Sequence, residues 1–360
     1  MRAEHDGVVA VVGGGVIGLA CAFELSERGV ECVLIDPNPG HGASWAAAGM
    51  LSPAAEIAPG EEPLLADLRA AASMWPEFAA RVASAGSTTI GFTRSSSLMV
   101  ATNSSDARDV ARSVMLMQRL GADIVPLGRE EIDSIEPSIA GRVRSAWLLP
   151  DDNRVDNRLL IEGLVAACKS QGVRFVEDRC VMIDMSRELV EVKLEAHGRL
   201  DAARCVLATG ADVGIDGTKG LGVPPLRPVR GTTIRLSTTP DVAIPSRTIR
   251  GIVRGVHFYL VPREDGSVVI GATSEERGFA QVAPAGGIFR LLEAAREVVP
   301  GIDEMTFDEA AVGLRPATED HVPFVGALRD VRVIAALGHY RNGILLAPLA
   351  GRRVAELLTS

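Results

Sequence analysis

The spacing of apolar and polar residues changes period several times along this chain, and each change marks an element. Residues 8–12 are a short β-rich apolar run closed by glycines, too short for a helix, and predict a buried strand. Ile17, Cys21 and Leu25 then fall at helical spacing, with Gly29 where a C-terminal cap belongs. Residues 31–35 predict a second strand that ends in Asp36. Strand, glycine turn, helix, strand and acid thus follow one another within about thirty residues, the layout of a dinucleotide-binding βαβ unit. Leu64, Leu65, Leu68, Ala72, Trp75, Phe78, Ala79 and Val82 restore helical spacing, and Pro76 is expected to break or kink that helix after Trp75. Short strands are predicted over 90–93 and 97–101, a helix over 105–120 and a shorter one over 129–134. This region, as far as Asp152, has no glycine fingerprint and reads as part of a second domain.

The α/β texture returns after Asn153. Leu159, Leu160, Leu164 and Ala167 line one helix face, Gly172 stops it, and 173–176 predicts a strand. Further strands are expected over 181–185, 190–194 and 204–208, the last running into Thr209 and Gly210. Residues 214–228 form a Gly/Pro-rich connector. Runs at 229–236, 248–253, 257–261 and 267–271 alternate like antiparallel strands, with Glu264, Asp265 and Gly266 as a hairpin turn. A helix over 289–298, strands over 322–325 and 331–336, and a helix over 344–358 complete the chain.

Composition narrows the class. A chain of 360 residues, 47% hydrophobic and 23% charged, suits a soluble globular protein of about two domains. A formal charge of −9 without a long basic run argues against nucleic acid or an anionic membrane as partner. Cys21, Cys32, Cys168, Cys180 and Cys205 include no CxxC pair and read as buried residues in a reducing compartment, not a disulfide framework or metal site. Glu4 and Asp6 spoil the basic start of a leader sequence, and no stretch suits a membrane span, so a cytoplasmic protein is expected.

The candidate chemistry is concentrated in glycine-bounded segments. Gly13 permits a tight turn, Gly15 lets backbone N–H groups approach a pyrophosphate, and Gly18 lets helix and strand pack closely. The helix N-terminus offers partial positive charge to phosphates, and Asp36 can accept from both ribose hydroxyls. The motif does not separate FAD from NAD. Ala46, Ala47, Ala48 and Gly49 supply almost no bulk. They suit either a backbone passing close to a flat ligand, with Ser44 on a phosphate and Met50 against a ring, or a helix start with small packing residues. His257 and Tyr259 share one strand face, where a tyrosine is most often core packing. Arg315 sits beside what reads as a proline-fixed turn. Gly338 to Gly343, including Arg341, precede the last helix as a second anion-stabilising site. A solitary arginine near a turn is usually just solvated, but two inside glycine-bounded motifs favour function.

Together these segments resemble the FAD-dependent D-amino-acid oxidase superfamily, and most closely glycine oxidases of the thiamine-biosynthesis type. The resemblance rests on VVGGGVIGLACAFELSERG, GASWAAAGML, DNRVDNRLLIEGL, CVLATGA, PVRG, HFYLVPREDGSVVIGATSEERGF, GLRPATEDHVPFVG and GHYRNGILLAP, in order across nearly the whole chain. Two departures bear on substrate identity: Thr232 replaces a common Gln, and Glu319-Asp320-His321 replaces Pro-Asp-Gly. The resemblance implies a discontinuous Rossmann-like FAD domain (1–88, 150–222 and 305–360) and an α+β substrate domain (89–149 and 223–304) built on an antiparallel sheet. It implies FAD held without a covalent bond; related sarcosine oxidases attach flavin through a cysteine in their C-terminal part, and no cysteine follows Cys205 here. The cofactor residues implied are Gly13, Gly15, Val16, Ile17, Gly18 and Asp36; Ser44, Ala46, Ala47, Ala48, Gly49 and Met50; Val181, Thr209 and Gly210; and Gly338, His339, Tyr340, Arg341, Asn342, Gly343 and Ile344. Arg315 is implied to pair with a substrate carboxylate, assisted by Tyr259, with Arg341 and Met50 near the ring and His257 at the same site. The implied reaction oxidises glycine or a small secondary or D-amino acid to an imine, which hydrolyses to a 2-oxo acid and ammonia while O2 becomes hydrogen peroxide. An amine dehydrogenase passing electrons to another acceptor is the alternative. No metal is expected, and a homo-oligomer is left open.

Overall fold

The computed structural model describes residues 7–238 and 242–359, so Glu4 and Asp6 lie outside the described residues. A six-stranded sheet runs in the order Phe324–Ala327, Val333–Leu337, Arg204–Leu207, Val9–Val12, Cys32–Ile35, Arg174–Val176. Its strands are parallel except Phe324–Ala327, which pairs antiparallel with its neighbour. Val9–Val12, Cys32–Ile35 and Val333–Leu337 are buried at every position, not at alternate ones. Both faces are covered, as a parallel sheet requires. Helices Val16–Glu27, Leu65–Gly86, Asn157–Ser170 and Gly343–Thr359 pack one face. The other face packs the three-stranded sheet Cys180–Asp184, Val190–Leu194, Arg199–Ala202. The last of these strands is not signalled in the sequence.

A second sheet of eight strands runs Thr306–Ala317, Arg227–Ser237, Val268–Gly271, Val256–Pro262, Thr248–Val253, Ser97–Ala101, Ser145–Leu149, Val125–Leu127. It is antiparallel except where Thr248–Val253 runs parallel to Ser97–Ala101. Helix Ala285–Val298 packs against it, with Leu291, Ala294, Ala295 and Val298 in a core shared with Ile234, Leu260 and Ile270.

Four expectations are corrected. Helix Leu65–Gly86 runs through Pro76 without ending. Its buried face continues from Leu68 and Trp75 to Phe78 and Val82, and the Trp75 indole donates to the Leu345 carbonyl at 2.9 Å. Tertiary packing on both sides of the proline outweighs its lost hydrogen bond. Residues 90–93 form no strand; Thr93 makes just an isolated bridge to Arg154. Arg315 stands on a twelve-residue strand, Thr306–Ala317, not beside a turn. Pro316 is tolerated there because the strand lies at the sheet edge and Pro316 is paired with Pro228, so neither ring removes a needed donor. That pairing with Arg227–Ser237 also ties residues 306–317 to the eight-stranded sheet, so a cofactor domain starting at 305 cuts one strand away from its sheet.

Candidate active site

A cavity of about 1680 Å³ is lined by residues of both sheets. Its nucleotide end is the turn after Val9–Val12. Gly13 has φ +104°, and the place a Gly18 side chain would take is filled by the Gly13 carbonyl. Only glycine fits either position. Gly15 faces open space, with Ser44 Oγ the sole atom near its missing Cβ, at 3.4 Å. Helix Val16–Glu27 starts there without a side-chain cap, so its positive end opens onto the cavity. The Val16 N–H donates to Ser44 Oγ at 3.0 Å, which leaves the hydroxyl proton for a phosphate. Asp36 accepts from the Gly14 N–H at 2.6 Å and the Asn38 N–H at 2.7 Å, one on each oxygen. A second lone pair remains on each oxygen for ribose hydroxyls.

Segment 43–50 reconciles the two readings of its small residues. Ala43–Ala46 is one helical turn packed where a Gly313 side chain would sit, and Ala46, Ala47, Ala48, Gly49 and Met50 then line the cavity. Asn157 holds the turn by donating to the Ser44 and Trp45 carbonyls at 2.8 and 2.9 Å, and buried Arg263 donates to the Ala48 carbonyl at 2.8 Å. Thr209, Gly210, Gly338, His339, Tyr340, Arg341, Gly343 and Ile344 line the same cavity, as do Val16 and Ile17. His339 is buried with no partner for Nε2, and burial pulls its pKa down to about 4, so the ring is neutral. Gly18, Val181 and Asn342 do not line the cavity. Gly18 acts beneath the turn, the Val181 carbonyl accepts from the Asp216 N–H at 3.0 Å in the three-stranded sheet, and Asn342 is buried with Oδ1 unpartnered.

At the other end, two glycines make room for two functional side chains. The Arg315 guanidinium lies where a Gly231 side chain would be, and the Tyr259 ring lies where a Gly271 side chain would be. Arg315 donates to the Thr273 carbonyl at 3.1 Å. Among the described residues no carboxylate comes within ion-pairing distance of it. Burial pushes the Tyr259 phenol up, against the pull of Arg315, so it stays protonated and can donate. His257 lies two residues away at the cavity rim and is exposed. Arg341 is differently placed. It donates to the Glu56 carbonyl at 3.0 and 2.7 Å and is paired with the Glu61 carboxylate.

Arg250, Glu56, Glu61 and His321 stood outside the sequence-based candidates. Arg250 sits directly across from Tyr259 on the neighbouring strand, buried and paired with Glu56. His321 has φ +62°, the left-handed region that explains why glycine is usual there in the resembled motif. Its Nδ1 lies 2.7 Å from Glu61 and its Nε2 lies 2.9 Å from Arg227 Nη2. Arginine only donates, so Nε2 must accept and the proton sits on Nδ1 toward Glu61. His321 thereby steadies the carboxylate that holds Arg341.

The uncapped helix end, the side-chain-free cradle at Gly15 and Gly210, and the ribose-level acid fit an adenine dinucleotide, and the elongated cavity continues into a charged recess beyond it. Such a molecule is a dinucleotide-binding protein whose cavity is lined by residues of two sheets. Residues 9–357 match the family described as FAD dependent oxidoreductase (DAO), and the chain belongs to it; its cofactor is FAD. It is 31% identical over 353 residues to the bifunctional protein ThiO/ThiG of Trichormus variabilis, covering 97% of this chain and 52% of that one. The chain therefore spans about half the length of that curated relative. It is 32% identical over 359 residues to the glycine oxidase of Geobacillus kaustophilus, covering 98% and 93% of the two chains. The crystal structure of glycine oxidase from Geobacillus kaustophilus superposes with a TM-score of 0.88 at 31% identity, covering 98% of this chain and 94% of that one. Among the described residues no helix is long and apolar enough to cross a membrane, and no group of three or more His, Cys, Asp or Glu could hold a metal ion.

Replacing Asp36 with alanine is expected to weaken FAD binding by about 1.5 kcal/mol, roughly tenfold in Kd. Flavin fluorescence on dilution measures it, and wild-type affinity in the variant would remove Asp36 from the ribose.

Proposed function

We propose that this chain oxidises glycine or another small amino acid, including a secondary or D-amino acid, with O2 as electron acceptor. The observation that carries the proposal is Arg315, a guanidinium lining the dinucleotide cavity with, among the described residues, one carbonyl partner and no paired carboxylate. Its open donors form the fork that takes a carboxylate through two parallel hydrogen bonds. Tyr259, protonated, adds a donor beside it. Holding a small amino acid at its carboxylate limits the directions in which its α C–H can point, and that orientation is the main contribution the chain makes. The substrate amine must be neutral to push electrons as the α-hydrogen leaves, so no strong base is required. Bound FAD supplies the two-electron acceptor, and O2 removes those electrons as hydrogen peroxide. The imine product adds water to give a 2-oxo acid and ammonia, or a primary amine where the substrate amine is secondary.

The other candidates take supporting places in this proposal. Gly13, Gly15, Ser44, Asp36, Thr209 and Gly210 hold the nucleotide half. Ala46–Met50 and the cavity-lining residues of 338–344 would border the ring, where the N-terminus of the helix from Gly343 would supply partial positive charge. Arg341 belongs to the wall, since Glu61 already neutralises it. Attachment is noncovalent: no cysteine lines the cavity, and burial pushes the thiols of Cys21, Cys32, Cys168, Cys180 and Cys205 up, so none is a ready nucleophile.

The test is one panel. Purified protein should be yellow, and heat should release intact FAD into the supernatant. Air-saturated protein should give peroxide with glycine and sarcosine, and far less with methylamine. Flavin left on the precipitate would remove the noncovalent assignment. Flavin that no amino acid reduces without oxygen would remove the activity, and reduction without peroxide in air would point to another acceptor.

A further inference from the structure

Arg315 and Arg250 line the cavity near Tyr259, and Arg341, already paired with Glu61, lines it too. Arg315 has no carboxylate. Arg250, directly across from Tyr259 in the strand pairing, faces the same cavity and is 7% exposed. Its counter-ion on the cavity side is Glu56, which comes from a different part of the chain, the loop following Met50–Leu51. Asp152 lies 3.8 Å from Arg250 but does not line the cavity; it is occupied with Ser97 Oγ at 2.6 Å. The Glu56 main chain is held as well: Arg341 donates to the Glu56 carbonyl at 3.0 and 2.7 Å and lies 3.7 Å from its carboxylate. A residue whose backbone is clamped by one arginine while its side chain reaches another is positioned to occupy a charge site.

We propose that Glu56 is a specificity-determining residue that fills the anion site on Arg250, so that the pocket accepts amino monocarboxylates at Arg315 and rejects amino dicarboxylates. This inference rests on the amino-acid oxidase reading above. A dicarboxylate such as iminodiacetate carries its second carboxylate just beyond the nitrogen, where it meets the Glu56 anion, and like charges in a desolvated pocket repel strongly. Without Glu56, the same position offers Arg250 Nη2, the nitrogen that Glu56 now occupies.

The experiment uses the FAD-loaded protein with Glu56→Gln, Glu56→Ala and Glu56→Gln/Arg250→Met. Binding of two ligands that cannot be oxidised at nitrogen, diglycolate and methoxyacetate, is followed by the shift each causes in the flavin absorption spectrum. Turnover of iminodiacetate against glycine is measured in parallel. Removing Glu56 is expected to raise the diglycolate-to-methoxyacetate affinity ratio roughly ten- to a hundredfold, the scale of a desolvated charge pair. The iminodiacetate-to-glycine ratio of kcat/KM should rise in step, and Arg250→Met should abolish both gains. An unchanged ratio in Glu56→Gln and Glu56→Ala overturns the proposal, as does a gain that survives loss of Arg250. Loss of glycine turnover without a changed ligand ratio would instead place Glu56 at the substrate amine. If the wild type oxidises no amino acid, the activity reading fails, while the two-ligand ratio still decides the role of Glu56.

Discussion

Arg315→Met is expected to lower kcat/KM for glycine by roughly thirty- to several-thousand-fold, about 2–5 kcal/mol, mostly through KM, and to leave the flavin spectrum unchanged. The size follows from what the side chain does in the fold. Among the described residues its hydrogen-bond partner is the Thr273 carbonyl and it has no ion pair, so its loss strands no buried carboxylate and should cost little stability. What is lost is the fork that binds a carboxylate through two hydrogen bonds. Arg315→Lys should recover part of the charge interaction but not the paired geometry. Amines without a carboxylate should be poor substrates for wild type and nearly indifferent to the change. Arg341→Met is the control. That substitution removes the partner of Glu61 and the clamp on the Glu56 carbonyl, so it should disturb the loop and flavin retention before it disturbs carboxylate recognition. If Arg341→Met abolishes carboxylate recognition while Arg315→Met stays within a few-fold of wild type, the roles of the two arginines are exchanged.

The contrast between these arginines shows what the linear chain could and could not reveal. The nucleotide end is legible because its requirements are local. A glycine at φ +104°, another whose missing side chain admits a carbonyl, an uncapped helix and an acid at the end of a strand all lie within about thirty residues. The substrate end is assembled from distant segments. Arg315 and Arg341 carry similar glycine-bounded signals, and nothing local says that Glu61, about 280 positions earlier, neutralises one and leaves the other open. Arg250 looks like an ordinary polar residue in an alternating strand until cross-strand pairing sets it beside Tyr259. Glu56 lies in a loop whose own pattern predicts nothing. The strand Thr306–Ala317 was obscured by Pro316, because a proline argues against a strand unless its edge position is known. Its long pairing with Arg227–Ser237, a tertiary fact, decides the matter.

Gly231→Ala should reduce kcat/KM for glycine about a hundredfold while the chain keeps every charge it has, because displacing a binding group by about 1 Å can cost that much. A Cβ built on Gly231 would overlap the Arg315 guanidinium, which supplies its three nearest atoms. The obstructing atoms are the far end of a flexible side chain, so the arginine swings aside and the backbone stays. Gly231 lies within a strand, paired with Gly313, and its φ is outside the left-handed region, so alanine suits the backbone and should hold Tm at or slightly above wild type. FAD content should be unchanged, since the atoms nearest a Cβ on Gly231 belong to Arg315 and not to the cradle at Gly13 and Gly15. The variant thus separates the position of the guanidinium from its presence, which Arg315→Met cannot do. In the double variant, Gly231→Ala should add almost nothing to Arg315→Met, because the overlap it creates no longer exists; full additivity would mean that Gly231 acts elsewhere. A Gly231→Ala protein with normal flavin, normal Tm and kcat/KM within a few-fold of wild type would show that the guanidinium does not rest over Gly231 when substrate is bound, and the carboxylate site would have to be moved.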